Sequence, residues 1–312
     1  MARRSTRLSF LRPLKGAGER VLGWLIVGAL AVLRLINRQF MAKLIGGMMR
    51  VIGPWFPEHK VGRENLRAAF PDKPPEEIET ILGGVWDNLG RVAAEFAHID
   101  RIVIQDPGRP ERTQHPDVMI DETTYARLLT LGDAARPTVV FAAHLANWEI
   151  PALAPRSFGF QTSILYRRPN IGAASDAIVA LRERCMGTMV AAGLDAPLKL
   201  ARALENGGAV ALLVDQHTTQ GVDVVFFGRW AKANPLAAQL ARLTGARIRG
   251  VRVVRLPDGN HFRAELTDEI APVRNAEGDI DLQATTQAIT NVVEGWVREH
   301  PEQWLWLHRR WR

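Results

Sequence analysis

The sequence lacks the residues that several kinds of site require. It has one cysteine, Cys185, which excludes a disulfide framework and a site built from several thiolates. It contains no HExxH pattern, so nothing in it predicts a bound metal. It has no GxSxG elbow, and Cys185 falls inside a helical pattern, where a small buried residue is expected. The sequence therefore predicts neither a cofactor nor a covalent enzyme intermediate.

The excess of basic over acidic residues is confined to the start of the chain. Residues 1–63 contain 12 Lys and Arg against two acidic residues, whereas the remaining residues contain 28 basic and 31 acidic side chains. A protein that binds nucleic acid usually carries its basic excess across the folded domain, so no nucleic-acid partner is expected. The basic residues instead flank apolar segments, which is typical of an anchor on a membrane surface.

These apolar segments run from Val21 to Leu33 and from Leu44 to Phe56. A helix over the first would rise about 20 Å, short of a hydrocarbon core of roughly 30 Å, so a marginal span and a deep interfacial helix both remain open. A secretory signal peptide is disfavoured because Arg34 follows where a small-residue cleavage site would be. We expect residues 1–58 to form an uncleaved membrane anchor with its basic side in the cytoplasm, and residues 59–312 to form the catalytic domain.

Beyond the arm, apolar runs alternate with helical patterns. Strands are predicted at 138–143, 160–166, 210–214, 222–227, 248–256 and 262–266, and helices at 76–99, 173–185, 235–244 and 281–300. The last two strands flank the turn Pro257-Asp258-Gly259-Asn260, which indicates a hairpin. The alternation predicts an α/β fold with a mixed, mostly parallel sheet flanked by helices, preceded by the N-terminal hydrophobic anchoring helix.

The segment HLANWE, residues 144–149, follows the first predicted strand, at the edge of α/β sheets where functional residues concentrate. His144 and Glu149 can meet only if His144 lies in the turn and Glu149 in the first turn of a helix, which Asn147 would cap. Glu149 would then accept a hydrogen bond from one imidazole nitrogen and leave the other as a general base. The spacing leaves a second interpretation open. His144 could be a structural residue, and Glu149 could be present because the helix dipole favours an acidic residue near a helix start.

This block resembles the HFGNWE block of the bacterial lipid A biosynthesis acyltransferases, the late lauroyl and myristoyl transferases within the lysophospholipid/glycerolipid acyltransferase superfamily. The similarity extends in order along nearly the whole chain. Further matching segments are Asn65-Leu66 with Phe70-Pro71, Tyr166-Arg167-Arg168-Pro169-Asn170, Asp215-Gln216 with Gly221-Val222 and Phe226-Phe227-Gly228, and the ending HPEQWLWLHRR at 300–310. Ala146 departs from the family, which has a glycine suited to positive φ at this position.

The resemblance implies transfer of an acyl chain from acyl carrier protein to a hydroxyl of a lipid A precursor, at the cytoplasmic face of the inner membrane. It assigns His144 as the base and Glu149 as its partner. The substrate-contacting positions that it implies are Asn147, Arg167, Asn170, Asp215, Gln216 and Phe227. Arg167 could contact an acceptor phosphate or steady the oxyanion, whereas Asp215 and Gln216 could also shape the turn after the third strand.

Two other functions remain open. A phosphatidylinositol-mannoside acyltransferase that uses acyl-CoA shares the histidine block, although Glu149 and the EQWLWLHRR ending favour the lipopolysaccharide branch. A non-catalytic membrane-binding protein could keep the fold, and it would be distinguished by whether His144 and Glu149 are within hydrogen-bonding reach at an apolar groove.

Clustered arginines supply one further hypothesis. Carrier protein is acidic, so it would dock on a basic surface near the donor channel. Candidate surfaces are the strand arginines Arg247, Arg249, Arg252 and Arg255 and the tail arginines Arg309, Arg310 and Arg312. Contacts to lipid phosphates or a solvated sheet edge would explain the same arginines.

Overall fold

The computed structural model describes residues 24–25, 28–29, 31–168 and 173–311. Its helices are α1 (Arg38–Ile52), α2 (Pro57–Ala69), α3 (Pro75–Phe96), α4 (Glu122–Leu129), α5 (Ala154–Phe158), α6 (Ala173–Cys185), α7 (Ala196–Glu205), α8 (Leu236–Thr244) and α9 (Leu282–Glu299). Its strands are β1 (Val118–Ile120), β2 (Thr138–Ala142), β3 (Thr162–Tyr166), β4 (Thr188–Ala191), β5 (Ala209–Leu213), β6 (Val222–Phe226), β7 (Arg229–Ala233), β8 (Arg247–Arg255) and β9 (Phe262–Leu266). Six of the thirteen residues of the predicted segment Val21–Leu33 lie outside the described residues, as do Asn170 and Arg312.

Seven strands form one sheet in the order β1-β9-β8-β2-β5-β3-β4. Every neighbouring pair is parallel except β8 and β9, which form the predicted hairpin. The predicted mixed, mostly parallel α/β fold is therefore confirmed. The predicted strand at 222–227 is present but lies outside this sheet, because β6 pairs with β7 in a separate two-stranded antiparallel ribbon.

β2 lies at the centre of the sheet. This position explains why its sequence is almost continuously apolar. Val139 and Phe141 are fully buried in the larger hydrophobic core, and Val140 is buried in a second core. Alternate side chains of a strand point to opposite faces, so both faces of β2 are covered, as is usual for parallel sheets. This burial fixes the position of the residues that follow β2.

Helix α1 packs closely against α3. A Cβ on Gly90 of α3 would lie 2.6 Å from the carbonyl oxygen of Ile45, and a Cβ on Gly46 would lie 2.9 Å from Arg91 and Asp87 side-chain atoms. Glycine at both positions is what lets the two helix backbones approach each other. Among the described residues, no helix is both long and apolar enough to cross a bilayer.

The opposite face of α1 exposes a stripe of large apolar side chains. Phe40, Leu44, Met48 and Val51 are 60%, 53%, 49% and 67% exposed, respectively. Their spacing of four, four and three residues places them on one face of the helix. Trp55, just beyond the helix, is 80% exposed. We call these five residues the α1 stripe.

Candidate active site

The site lies where β2 and β5 end side by side. The two strands are parallel, with Ala142 opposite Leu213, and Val214 N donates to Ala142 O at 3.0 Å. His144 and Asp215 each lie two residues beyond these paired positions. The register of the sheet therefore brings them together, although they are 71 residues apart in the sequence.

Asp215 makes two hydrogen bonds to His144. Its Oδ1 lies 2.8 Å from the imidazole Nδ1, and its Oδ2 accepts the backbone N–H of His144 at 2.8 Å. The Asp215 side chain is 1% exposed and the His144 side chain 11%. With Nδ1 donating to a buried carboxylate, Nε2 carries the lone pair and is free to accept a proton. We call this pair the His144–Asp215 dyad.

The charges of the dyad shift the pKa values of both members. Burial lowers the pKa of His144, but the charge of Asp215 and the hydrogen bond to it, with a contribution from the Glu149 charge, raise that pKa above its usual value. Burial would raise the pKa of Asp215, but the charge and hydrogen bonds of His144 hold it well below its usual range. At neutral pH Asp215 is therefore an ionised acceptor, and His144 loses its proton only above the usual imidazole pKa of about 6.5.

Asp215 makes the contact that the sequence assigned to Glu149. The carboxylate of Glu149 instead accepts two hydrogen bonds from Arg182 of α6, one of them from Nε at 3.0 Å. No described hydrogen bond joins Glu149 to His144, so the predicted orienting role is corrected in favour of Asp215. The reason is local: no continuous helix begins at Asn147, because turns and a short 3₁₀ segment at Ile150–Leu153 follow His144. A catalytic role for Glu149 stays a prediction.

A cavity of about 910 Å³ opens beside the dyad. Its wall is largely apolar and includes Leu131, Val140, Phe160, Ile164, Met186 and Ala211. His144, Glu149 and Arg182 also line it. Its size and its combination of apolar wall and polar groups are typical of a small-molecule site.

The turn that carries His144 is held in a strained conformation. Ala146 has φ of +47°, in the left-handed region that disfavours residues with a Cβ. Its N–H donates to Gln303 O at 2.8 Å, and its carbonyl accepts from Asn88 Nδ2 at 3.1 Å. These bonds hold Ala146 where the resemblance indicated a glycine, so the departure from the family is accommodated by the surrounding structure.

Asn147 anchors the same turn to α3. It is fully buried, and its Nδ2 donates to Glu95 Oε2 at 2.8 Å. Glu95 is also paired with the buried Arg255. The predicted substrate contact of Asn147 is therefore corrected to a structural one, because its side chain points into this buried polar network.

The other predicted site residues divide into two groups. Arg167 and Gln216 line the cavity, and Gln216 Nε2 is 3.4 Å from His144 Nε2. Phe227, in contrast, is buried with its ring 5.2 Å from that of Phe70 and 5.7 Å from that of Trp306. Phe227 is not among the residues that line the cavity, so its role as a substrate-binding residue stays a prediction.

The predicted docking patch on β8 is also wrong. All four of its arginines are buried, with 6–9% of each side chain exposed. Arg247 donates to the carbonyls of Thr130 and Arg136, and Arg252 pairs with Glu265 and Glu299. Inside the protein, Arg247 and Arg249 donate to backbone carbonyls, whereas Arg252 and Arg255 pair with carboxylates. These buried side chains offer no surface to an acidic partner. Of the tail arginines, Arg309 is exposed and Arg310 is buried.

Two residues of the site were missed by sequence reasoning. Arg182 lies within the predicted helix at 173–185, where nothing in the sequence distinguishes it from a surface arginine. Trp304 belongs to the C-terminal motif, and a tryptophan is on average largely buried. Trp304 is indeed buried, but its indole Nε1 donates to Asp215 Oδ2 at 2.8 Å. Within the described residues, no three His, Cys, Asp or Glu side chains converge as metal ligands would.

The sequence model of the bacterial lipid A biosynthesis acyltransferase family matches residues 14–312. No curated protein matches the chain. Because the match spans nearly the whole sequence, the chain belongs to that family and is an acyltransferase of lipid A biosynthesis.

Proposed function

Because the chain belongs to the lipid A biosynthesis acyltransferase family, we propose that the enzyme moves a fatty-acyl chain from the thioester of acyl carrier protein to a hydroxyl of a lipid A precursor. The observation that carries the proposal is the His144–Asp215 dyad on the wall of the apolar cavity. A free imidazole nitrogen supplies a base, and the apolar wall suits a hydrocarbon chain.

The reaction needs only groups that the site supplies. Nε2 of His144 takes the proton of the acceptor hydroxyl, whose oxygen attacks the thioester carbonyl carbon. The carbon–sulfur bond of the resulting tetrahedral species breaks, and the imidazolium returns the proton to the departing thiolate. Asp215 keeps the imidazole in the tautomer that can accept the proton and stabilises its charged form. No covalent enzyme intermediate is required.

Charged side chains on the cavity wall are proposed to bind the polar parts of the substrates. Arg167 lines the cavity and is exposed, so its guanidinium is available to an acceptor phosphate or to the developing oxyanion. Arg182 is held by Glu149, and this pair keeps a fixed charge arrangement near His144. In this proposal Glu149 holds Arg182 in place, and its negative charge raises the pKa of His144.

The donor is tested with purified enzyme, a lipid A precursor and two donors of the same chain length. We expect transfer from the carrier-protein thioester to exceed transfer from the CoA thioester by about tenfold or more, since a protein donor adds binding energy and electrostatic steering. Mass spectrometry of the lipid product measures the added chain. Transfer from acyl-CoA alone would instead support the phosphatidylinositol-mannoside type of enzyme.

We propose that the enzyme works on the cytoplasmic face of the inner membrane. The α1 stripe supports this, because it is a single apolar face on a helix whose other face is buried against α3. The basic excess of residues 1–63 would be attracted to anionic lipid headgroups. An amphipathic helix lying in the interface would bring the cavity close to a lipid acceptor.

Polar substitutions in the α1 stripe test the membrane proposal. We expect the triple variant Phe40→Gln, Leu44→Gln, Met48→Gln to bind vesicles of phosphatidylethanolamine and phosphatidylglycerol about 100-fold more weakly or worse, since each buried apolar side chain contributes roughly 1.5–3 kcal/mol. Co-sedimentation measures the bound fraction. Leu198, Trp230 and Leu243 are 56%, 70% and 70% exposed elsewhere, and their triple replacement by glutamine is the matched control. Unchanged binding of the α1 variant would contradict the proposal.

A further inference from the structure

The last residues of the chain pass directly behind the catalytic turn. A short antiparallel pairing joins the two segments. Leu305 N donates to His144 O at 3.1 Å, and Ala146 N donates to Gln303 O at 2.8 Å. The backbone on both sides of the catalytic side chain is thus hydrogen-bonded to the C-terminal segment.

One side chain of this segment reaches the dyad itself. The indole Nε1 of Trp304 donates to Asp215 Oδ2 at 2.8 Å. The same oxygen accepts the backbone N–H of His144, while Oδ1 accepts from the imidazole. Trp304 is 1% exposed and Asp215 3% exposed, so solvent does not replace these bonds.

We propose that Trp304 is a positioning residue of the acyl-transfer reaction, whose indole N–H fixes the rotation of the Asp215 carboxylate and thereby the direction of the His144 imidazole. The inference rests on the proposed function of the dyad. A carboxylate can rotate about its Cβ–Cγ bond, and two donors from different segments hold Oδ2 in place. Oδ1 then has one orientation, which faces the imidazole.

Other charged and titratable groups also face the dyad. The charge of Glu149 raises the pKa of His144. His308 and Arg310, on the C-terminal segment, interact electrostatically with Asp215, and burial lowers the pKa of both of them. Gln216 lies next to the free imidazole nitrogen. None of these groups accepts the indole N–H in the described structure, although the rings of Trp304 and His308 lie 5.4 Å apart. The test is therefore to remove that N–H and keep a ring at position 304.

Trp304→Phe makes that change, because it keeps a large ring and removes the N–H. The carboxylate of Asp215 would lose one donor and hold the imidazolium more strongly, so the pKa of His144 should rise. We expect the acid limb of the kcat/KM profile to move to higher pH. We also expect kcat on the plateau to fall about tenfold or more, because hydrogen bonds to buried charged groups are strong. KM for the acyl donor should not change.

Trp306→Phe is the matched control. Trp306 is fully buried in the same motif, and its indole donates to Pro301 O at 2.7 Å instead of to the dyad. Both variants lose one buried indole hydrogen bond, so comparable losses of melting temperature are expected. Only Trp304→Phe should move the pH profile.

Histidine NMR supplies a readout that does not depend on turnover. The His144 resonance is assigned by its loss in His144→Ala and is titrated in the wild type and in both tryptophan variants. A raised His144 pKa in Trp304→Phe alone supports the proposal. An unchanged or lowered His144 pKa in Trp304→Phe, or an equal shift in both variants, overturns it. Absence of acyl transfer by the wild type would refute the proposed function, whereas the titration still decides the role of Trp304.

Discussion

His144→Ala is expected to lower kcat by about 10²–10⁴-fold, the range that general-base catalysis typically contributes. The reason is that Nε2 of His144 is the free base beside the cavity, with Nδ1 committed to Asp215. The side chain is 11% exposed, and its replacement removes a ring without touching the backbone bonds of the turn. Steady-state kinetics with purified protein measures the loss, and circular dichroism checks the fold.

His261→Ala is the matched control for this experiment. His261 also pairs with an aspartate, Asp258, at 2.5 Å, but on the β8–β9 turn and not at the cavity. His261→Ala should leave kcat nearly unchanged. If His144→Ala retained near-normal turnover, the proposed mechanism would have to be abandoned.

Asp215→Asn is expected to cost about 10⁴-fold in kcat, by analogy with the same substitution in serine-protease triads. Two N–H donors, from the His144 backbone and from Trp304, require an oxygen at the Oδ2 position. The asparagine NH₂ group would therefore face Nδ1, which must then accept a hydrogen bond instead of donating one. The imidazole proton would move to Nε2, and the base would be blocked.

Glu149→Gln is the comparison that identifies the orienting acid. Because Glu149 is bonded to Arg182, its replacement should leave the imidazole tautomer intact and cost less, roughly 10–100-fold. Both substitutions remove a negative charge that raises the His144 pKa, so both should move the acid limb of kcat/KM to lower pH. A larger loss of kcat in Glu149→Gln than in Asp215→Asn would restore Glu149 as the orienting acid.

The sequence by itself determined the fold class and the family, and it indicated His144 as the proposed base. Apolar runs marked β2 and β5, because strands covered on both faces need apolar side chains. The turn at 257–260 marked β8 and β9 as a hairpin. The strands that were missed, β1, β4 and β7, are short or partly exposed, and such segments carry little pattern. The motifs around His144 and at the C-terminus identified the family, since each is a local string of residues.

Only the tertiary structure decided which groups meet. Asp215 displaced Glu149 as the partner of His144 because the β2–β5 register aligns residues far apart in the sequence, and sequence distance carries no information about register. The β8 arginines were predicted to lie on the surface because charged side chains are normally exposed. The structure shows that they are buried and that carbonyl and carboxylate groups around them compensate their charge. The residue type of Trp304 does not show where its indole N–H points, because its direction toward Asp215 depends on how the C-terminal segment lies against the turn that carries His144.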